Sequence, residues 1–246
     1  MVNLEPKIKL VVFDMAGTTV RDENEVHLCF MEAAERSHLP ADPQKVNSMM
    51  GWSKLQVFQT LWAEHLGADH PDYGDRVSSS FAEFKTILED HYQTSPVMPT
   101  EGCMELFYWL KNHQIKIALT TGFYREVTNI ILQKLLWHGG LDDNYLGDET
   151  SIINFSVTPS EIYQEEGRPA PFMIQKAMDR LGIRDSQKVV NIGDTPSDLA
   201  SGFRANCLFS FGVTNGSHTQ KELSQYPCDR LFSSLKEFQQ TLETLI

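Results

Sequence analysis

The sequence of 246 residues predicts an α/β fold, a doubly wound parallel sheet with a block of helices inserted near its start. Two observations carry this prediction. Short apolar runs rich in Val, Ile and Phe alternate with amphipathic segments of helical period, the pattern of a parallel sheet covered by helices on both faces. Between the first and second of these runs, residues 24–91 show helical periodicity alone.

The strand-like runs are short and end at Gly, Thr or Asp, as buried strands do. The predicted strands are residues 8–13, 115–120, 154–157, 188–192, 207–213 and 230–232. The predicted helices between and after them are residues 101–113, 125–138, 171–181, 197–205 and 233–245. His138-Gly139-Gly140 is predicted to end the second of these helices, and residues 142–153 are predicted to form a surface loop.

The inserted block is predicted to be a separate helical unit. Apolar side chains such as Leu55, Phe58 and Trp62 recur at helical spacing in it. Prolines 96 and 99 close the block, because proline ends a helix and favours an extended chain. We therefore predict an α/β core domain from residues 1–20 and 97–246, and an α-helical cap domain from residues 21–96.

Composition excludes several classes of function. Asp and Glu number 33 against 21 Lys and Arg, and the net charge of −12 argues against nucleic acid and anionic membranes as partners. The four cysteines are far apart, without a CxxC pair, which disfavours a disulfide scaffold or a zinc site. No apolar run approaches membrane-spanning length and residues 1–6 hold no signal core, so a cytoplasmic protein is expected.

Three carboxylates follow predicted strands. Asp14 comes directly after the first strand, and Asp194 and Asp198 follow the strand at residues 188–192. Ligands of open parallel sheets bind at the carboxyl ends of the strands, and converging carboxylates repel one another unless a cation lies between them. Oxygen ligands without Cys or His favour Mg²⁺. The alternative is that Asp194 and Asp198 cap the helix that begins near residue 197.

Two further motifs suit an anionic phosphoryl group. Thr120, Thr121 and Gly122 end a predicted strand, where a hydroxyl and backbone N–H groups can hold phosphoryl oxygens. Arg168, in Gly-Arg-Pro, would place a fixed positive charge against phosphate or against Asp14. Their alternative readings are ordinary turn chemistry for the threonines and a surface position for Arg168.

These motifs, in this order, resemble the four signature motifs of the haloacid dehalogenase-like hydrolases. They are Asp14-Met15-Ala16-Gly17-Thr18, Thr120-Thr121-Gly122, Gly167-Arg168-Pro169 and Gly193-Asp194-Thr195-Pro196-Ser197-Asp198. The resemblance implies that Asp14 attacks phosphorus and becomes an aspartyl-phosphate. It also implies a Mg²⁺ ion held by Asp14, the carbonyl of Ala16 and Asp194, with Asp198 as a ligand or as a residue that orients one. Thr121 and Arg168 would hold the phosphoryl group.

Two features resemble one branch of that superfamily, the phosphonatases (phosphonoacetaldehyde hydrolases). Ala16 stands where phosphatases usually have the Asp that protonates the leaving alkoxide. Met50-Gly51-Trp52-Ser53-Lys54 resembles the phosphonatase cap segment, in which the lysine forms a Schiff base with the aldehyde. The leaving group is then an enamine that needs no acid, so Ala16 and Lys54 are consistent with each other. Gly-Arg-Pro-x-Pro, at residues 167–171, also occurs in phosphonatases.

The chain departs from the phosphonatase pattern at three positions. Val57 replaces the His that assists imine chemistry, Asn24 replaces a Cys of the linker, and Phe123 replaces the Tyr after Thr-Gly. Without the imine, Lys54 would be a solvated charge or a substrate-contacting cap residue. His218, after the strand that ends near residue 213, is a minor candidate for a place near the site.

We therefore expect a Mg²⁺-dependent hydrolase that cleaves the carbon–phosphorus bond of phosphonoacetaldehyde or a similar small phosphonate. Its catalytic residues would be Asp14, Lys54, Arg168 and Thr121, and Met50, Gly51 and Gly122 would line the substrate site. The alternatives are a small-molecule phosphomonoesterase and a non-catalytic phosphate-binding protein. The resemblance is also compatible with a homodimer formed through cap helices.

Overall fold

A six-stranded sheet in which every strand is parallel forms the centre of the computed structural model, which describes residues 7–245. The strands are β1 (Leu10–Phe13), β2 (Lys116–Thr120), β3 (Phe155–Val157), β4 (Val189–Gly193), β5 (Phe209–Val213) and β6 (Arg230–Phe232). Their order is β3-β2-β1-β4-β5-β6. The first strand along the chain is therefore central, between β2 and β4, and the predicted fold class is confirmed.

Helices cover both faces of the sheet. They are α1 (Glu25–Arg36), α2 (Pro43–Ser48), α3 (Lys54–Leu66), α4 (Tyr73–Thr94), α5 (Cys103–Asn112), α6 (Arg125–Lys134), α7 (Phe172–Arg180), α8 (Pro196–Arg204), α9 (Gln220–Leu223) and α10 (Leu235–Leu245). Alternate residues of β1 face opposite sides of the sheet, as the strand period of two requires. Leu10 and Val12 pack with apolar side chains of α7, whereas Val11 and Phe13 pack with those of α5 and α10. Burial on both faces explains why β1 is a continuous apolar run.

The four helices α1–α4 lie between β1 and β2 and have an aromatic core of their own. Phe30 stacks on Phe58 with ring centroids 4.3 Å apart, and Phe84 packs on Phe58 at 5.8 Å. Trp62 donates its indole N–H to Ser80 at 2.9 Å, which joins α3 to α4. A helical block therefore stands between the first two strands. The division into a core and a cap with boundaries at residues 20 and 97 stays a prediction.

The structure corrects the predicted end of one helix. The sequence predicts that α6 continues to His138-Gly139-Gly140, but it ends at Lys134. Leu136 then adopts a left-handed conformation with φ of 58°, and Trp137 turns inward against Phe107 with ring centroids 5.3 Å apart. Burial of the large indole decides where the helix stops. The short helices α2 and α9 were not predicted.

Residues 142–153 contain no helix or strand, as expected, and pair only through isolated bridges such as Leu146 with Phe155. Within residues 7–245, no helix combines the length and apolarity that a membrane crossing requires. All four cysteines are free. The prediction that residues 1–6 hold no signal core concerns residues outside the described range.

Candidate active site

The site is built around Asp14, at the carboxyl end of the central strand. Its backbone N–H donates to the carbonyl of Ile192 on β4 at 3.0 Å, and its side chain is almost fully buried. The chain turns sharply after it, because Gly17 adopts a φ of +85°. A Cβ atom at Gly17 would overlap the carboxylate of Asp194. Glycine there therefore lets the turn after β1 approach the end of β4.

Asp194 follows β4 and is fully buried beside Asp14. It accepts hydrogen bonds from the Thr18 hydroxyl at 3.2 Å and from the Ser217 backbone N–H at 2.6 Å. Burial, and then the negative charge of Asp14, raises the pKa of Asp194 to about 7. The negative charge of Asp194, at the end of β4, is therefore not fully balanced by neighbouring positive charges or hydrogen-bond donors.

Asp198 has a structural role as well as a place in the site. Its Oδ2 accepts the backbone N–H of Thr195 at 3.0 Å, as part of a reciprocal capping box at the start of α8. Its Oδ1 forms an ion pair with Arg168. From the sequence alone, helix capping is the alternative to a role in the site. In the structure Asp198 does both: it caps α8 and contacts Arg168.

Arg168 is the positive charge of the cluster. Its guanidinium Nη1 lies 2.7 Å from Oδ1 of Asp14 and also contacts Asp198, and the side chain is 3% exposed. The sequence predicts the contact with Asp14 but not the one with Asp198. A buried guanidinium between two carboxylates fixes their relative positions.

Thr121 and Gly122 follow β2, on the other side of β1. The Thr121 hydroxyl accepts the backbone N–H of Phe123 at 3.1 Å. Thr121 lines the cavity beside Asp14, whereas the Thr120 hydroxyl points to the carbonyl of Phe13 at 3.5 Å. Of the two threonines, Thr121 is therefore the one placed to meet a ligand.

Lys54, at the start of α3, brings an amine to the same cavity. The side chain is 4% exposed, and its Nζ lies 3.7 Å from the sulfur of Met50. Burial, and then the charge of Arg168, lowers its pKa to about 8, although Asp14 and Asp22 act in the opposite direction. An amine with such a pKa is still mostly protonated at pH 7, but its uncharged fraction is far larger than that of an exposed lysine.

The segment from Met50 to Ser53 lies directly against the sheet end. The Ser197 hydroxyl donates to the carbonyl of Met50 at 3.3 Å, and the backbone N–H of Lys54 donates to the carbonyl of Gly122 at 3.4 Å. A Cβ atom at Gly51 would overlap the Ser197 hydroxyl, and one at Gly122 would overlap the carbonyl of Trp52. These glycines permit the closest approach between the helical block and the sheet region.

The cavity between these elements has a volume of about 30 Å³, room for one or two water molecules. It is lined by Asp14, Ala16, Asp22, Val26, Met50, Gly51, Lys54, Thr121, Gly122, Phe123, Arg168, Thr195 and Ser217. Asp22, Val26 and Ser217 were not singled out from the sequence. His218 is buried, and burial lowers its pKa, but it does not line the cavity.

Comparison with known proteins identifies the family. The family model of haloacid dehalogenase-like hydrolases matches residues 8–206. The chain belongs to this family. It is therefore a hydrolytic enzyme, and the non-catalytic alternative is not retained.

Relatives of the chain place it in the phosphonatase-like branch of haloacid dehalogenase-like hydrolases. It is 30% identical over 239 residues to the bifunctional phosphonoacetaldehyde hydrolase/aminoethylphosphonate transaminase of Clostridioides difficile (strain 630). That match covers 92% of this chain but only 35% of the relative. It is 29% identical over 236 residues to a phosphonoacetaldehyde hydrolase of Bacillus cereus, covering 92% of this chain and 83% of that protein.

Solved structures agree on the fold. A hydrolase from Pseudomonas syringae superposes with a TM-score of 0.75 at 19% identity, covering 96% of this chain and 99% of that one. A phosphonoacetaldehyde hydrolase-like protein from Oleispira antarctica superposes with a TM-score of 0.74 at 15% identity, covering 98% and 93%. At these identities the likeness concerns the fold.

The residues present suit a divalent cation in this haloacid dehalogenase-like hydrolase. Asp14, Asp194 and Asp198 each offer a carboxylate oxygen, and these oxygens lie within 4.8 Å of one another. All donors are oxygen atoms, which hard cations prefer. Each carboxylate also has a partner within the protein: Asp194 accepts from Thr18 and Ser217, and Asp14 and Asp198 pair with Arg168. The buried aspartate cluster can therefore hold a metal.

Proposed function

We propose that this hydrolase is Mg²⁺-dependent and cleaves the carbon–phosphorus bond of phosphonoacetaldehyde or a closely similar phosphonate aldehyde. One observation carries the proposal. A carboxylate suited to attack phosphorus, Asp14, and an amine suited to condense with an aldehyde, Lys54, line the same small cavity. Ala16, which cannot donate a proton to an alkoxide, lines it too.

The sheet end would handle the phosphoryl group. Asp14 is the nucleophile, and Arg168, 2.7 Å from it, would draw the phosphonate oxygens towards it. Thr121 would donate its hydroxyl to one of those oxygens. A Mg²⁺ ion bound by Asp14, the Ala16 carbonyl and Asp194 would neutralise the charge of nucleophile and phosphonate, so that two anions can meet.

Lys54 would handle the carbon side. Its uncharged amine adds to the aldehyde carbonyl and, with loss of water, forms an imine that is protonated on nitrogen. When Asp14 attacks phosphorus, the electron pair of the carbon–phosphorus bond moves into this iminium group and gives an enamine. The enamine leaves without a proton from an acid, which agrees with alanine at position 16.

We also propose that α1–α4 act as a cap over the site. The segment at Met50–Ser53 closes the cavity through contacts with the loops after β2 and β4. A cavity of about 30 Å³ leaves little room for a phosphonate aldehyde, so this segment would move when substrate enters. Closure would then exclude bulk water from the reaction.

The proposal is tested by incubating the protein with phosphonoacetaldehyde and Mg²⁺ and measuring release of phosphate and acetaldehyde. Parallel samples receive borohydride, which reduces an imine to a stable secondary amine. Peptide mass analysis should then find the two-carbon adduct on Lys54. Lys54→Ala should abolish both phosphate release and the adduct.

Lys45→Ala is the matched control. Lys45 also lies in the helical block, but it is an exposed residue in an ion pair with Glu64. This variant should keep full activity and an unchanged adduct on Lys54. Phosphate release that survives Lys54→Ala would rule out imine chemistry and leave only the phosphoryl half of the proposal.

One observation favours a second function, a phosphomonoesterase. Val57 is buried and apolar where phosphonatases have the His that assists imine chemistry. Without an acid at position 16, such an enzyme would hydrolyse p-nitrophenyl phosphate, whose leaving group needs little protonation, much faster than alkyl phosphates. Rapid turnover of p-nitrophenyl phosphate with no turnover of phosphonoacetaldehyde would select this alternative.

A further inference from the structure

A second carboxyl group lies in the cavity besides Asp14. Asp22 sits on the linker between the turn after β1 and the start of α1, and it lines the cavity together with Lys54. It belongs neither to the aspartate cluster at the sheet end nor to the four family motifs. Its charge acts on the Lys54 amine, which lines the same cavity.

Asp22 is held in place by the start of α1. Its Oδ1 accepts the backbone N–H of Glu25 at 2.9 Å and that of Val26 at 3.4 Å. The side chain of Glu25 lies close enough to interact with its carboxyl group. Burial, and then this interaction with Glu25, raises the pKa of Asp22 to about 7. A carboxyl group with such a pKa can both give and take a proton near neutrality.

Asp22 also acts electrostatically on the amine. Its negative charge raises the pKa of Lys54 against the larger lowering effect of burial. The hydrogen-bond partner of the Lys54 amine is the sulfur of Met50, which cannot supply a proton. The negative charge of Asp22 therefore acts on the amine, but among the described residues no proton donor is in direct contact with it.

The proposed reaction needs such a donor. Loss of water from the adduct of amine and aldehyde requires a proton on the departing oxygen. Two positions that could supply a proton have only hydrocarbon side chains. Ala16 stands where phosphatases have an acid, and Val57 stands where phosphonatases have a His. In the cavity lining, Asp22 is the remaining carboxyl group once Asp14 is assigned to phosphorus.

We propose that Asp22 is the general acid and base for the imine chemistry of Lys54, an inference that rests on the proposed function. Asp22 protonates the hydroxyl of the carbinolamine, the carbon–oxygen bond breaks, and water leaves while the nitrogen electron pair forms the carbon–nitrogen double bond. The products are a positively charged iminium and a negatively charged Asp22 carboxylate. After carbon–phosphorus cleavage, the enamine takes a proton on carbon from solvent and becomes an iminium again. Water adds to the iminium carbon and gives its proton to the Asp22 carboxylate. The resulting carbinolamine loses its hydroxyl proton as the carbon–oxygen double bond forms, and the carbon–nitrogen bond breaks with its electron pair going to nitrogen. The nitrogen takes up a proton, so acetaldehyde and the free Lys54 amine are the products, and Asp22 is again protonated.

His27 on α1 is the rival candidate. Its Nδ1 is buried without a hydrogen-bond partner, and the charge of Lys54 reaches it. However, His27 does not line the cavity, and burial, followed by the charge of Lys54, lowers its pKa. Its imidazole is therefore uncharged near neutral pH, and an uncharged imidazole is too weak an acid to protonate the departing oxygen.

Several groups set the charge around Asp22, and a pH profile has to be interpreted with all of them. They are Glu25 and Cys29 on α1, Lys54 on α3, Tyr92 on α4 and Asp194 after β4.

The test uses Asp22→Asn, because asparagine keeps the oxygen that accepts the two backbone N–H groups and loses the ability to transfer a proton. Asp42→Asn is the matched control. Asp42 also caps a helix of the same block, accepting the backbone N–H of Lys45 at 2.8 Å, but it is outside the cavity. His27→Asn tests the rival. The rate of borohydride-trapped adduct on Lys54 is measured in a single turnover with phosphonoacetaldehyde, together with calorimetric binding of inorganic phosphate in Mg²⁺.

We expect Asp22→Asn to slow adduct formation by about 100-fold or more, the usual contribution of a general acid. Phosphate affinity and thermal stability should stay close to wild type, as in Asp42→Asn, which separates a chemical role from loss of the helix cap. Unchanged adduct formation in Asp22→Asn, or a loss found in His27→Asn instead, would overturn the inference and leave the proposed function standing. If the wild-type protein itself forms no adduct, both are overturned.

Discussion

Lys54 should make the protein less stable at neutral pH than a methionine in its place. The ammonium group lies in a site that is 4% exposed, and desolvation penalises the charged form. Methionine has a similar length, carries no charge and already packs beside this position as Met50. We therefore expect Lys54→Met to be more stable than wild type at pH 7 and inactive towards phosphonoacetaldehyde.

The size of the gain follows from the pKa. Folding lowers the pKa of Lys54 from 10.5 to about 8. At about 1.4 kcal/mol for each unit of pKa, this difference corresponds to about 3 kcal/mol of unfolding free energy. Below pH 8 the lysine is charged in both states, so the folded wild type carries the full penalty. Between about pH 8 and 10.5 the folded state loses the proton first, and the wild type gains stability as the pH rises.

The assay is urea unfolding of wild type and Lys54→Met at intervals from pH 7 to pH 10. The stability advantage of the variant should be largest at pH 7 and shrink steadily above pH 8. Lys45→Met, at an exposed site, should differ from wild type by less than about 0.5 kcal/mol at every pH. An advantage of Lys54→Met that does not change with pH would refute the claim that the ammonium group is desolvated.

Three further predictions concern the sheet end and the closing segment. Asp14→Asn should abolish phosphate release yet leave the borohydride-trapped adduct on Lys54, measured by peptide mass; loss of the adduct as well would mean that the two halves of the reaction are not separable. Arg168→Met should lower the free energy of unfolding by roughly 3–5 kcal/mol in urea, because it leaves buried carboxylates unpaired; a neutral result would contradict the pairing. Gly51→Ala and Gly67→Ala both place a side chain at positive φ. Gly67→Ala, whose Cβ meets nothing, should cost about 1 kcal/mol of stability and leave the kinetics unchanged, whereas Gly51→Ala, whose Cβ overlaps Ser197, should cost more, raise KM and lower kcat; equal kinetics in the two variants would contradict a role of the close approach at Gly51.

Residues that follow neighbouring parallel strands were predictable as a group. Asp14, Asp194 and Thr121 each come directly after an apolar run, and parallel strands bring their carboxyl ends to one edge of the sheet. The hydrophobic pattern therefore identified these positions without knowledge of the strand order. Arg168 lies in an irregular segment before α7, and only its motif indicated a site position.

Other features depend on packing between distant segments, which local pattern does not encode. Asp22 enters the cavity because α1 begins beside α3, and its sequence neighbours, Arg21 and Glu23, are exposed. Its only signal in the sequence was an acidic residue in the linker that leads into the helical block. The early end of α6 likewise follows from the burial of Trp137, which helical periodicity cannot reveal.

Closure of the segment at Met50–Ser53 and the reactivity of Lys54 depend on each other. Burial is the largest cause of the lowered pKa of Lys54, and part of that burial is supplied by Met50 and by the loop that carries Gly122. If the segment moves away to admit substrate, as we propose, water would reach the amine and its pKa would rise towards 10.5, leaving a protonated, unreactive ammonium. Closure of the segment on a bound aldehyde would lower this pKa again and raise the uncharged, nucleophilic fraction of the amine beside the carbonyl that it attacks. Burial of Lys54 therefore has two linked effects. It destabilises the charged amine, which is the cost that Lys54→Met removes, and it makes the amine more nucleophilic when the site is closed.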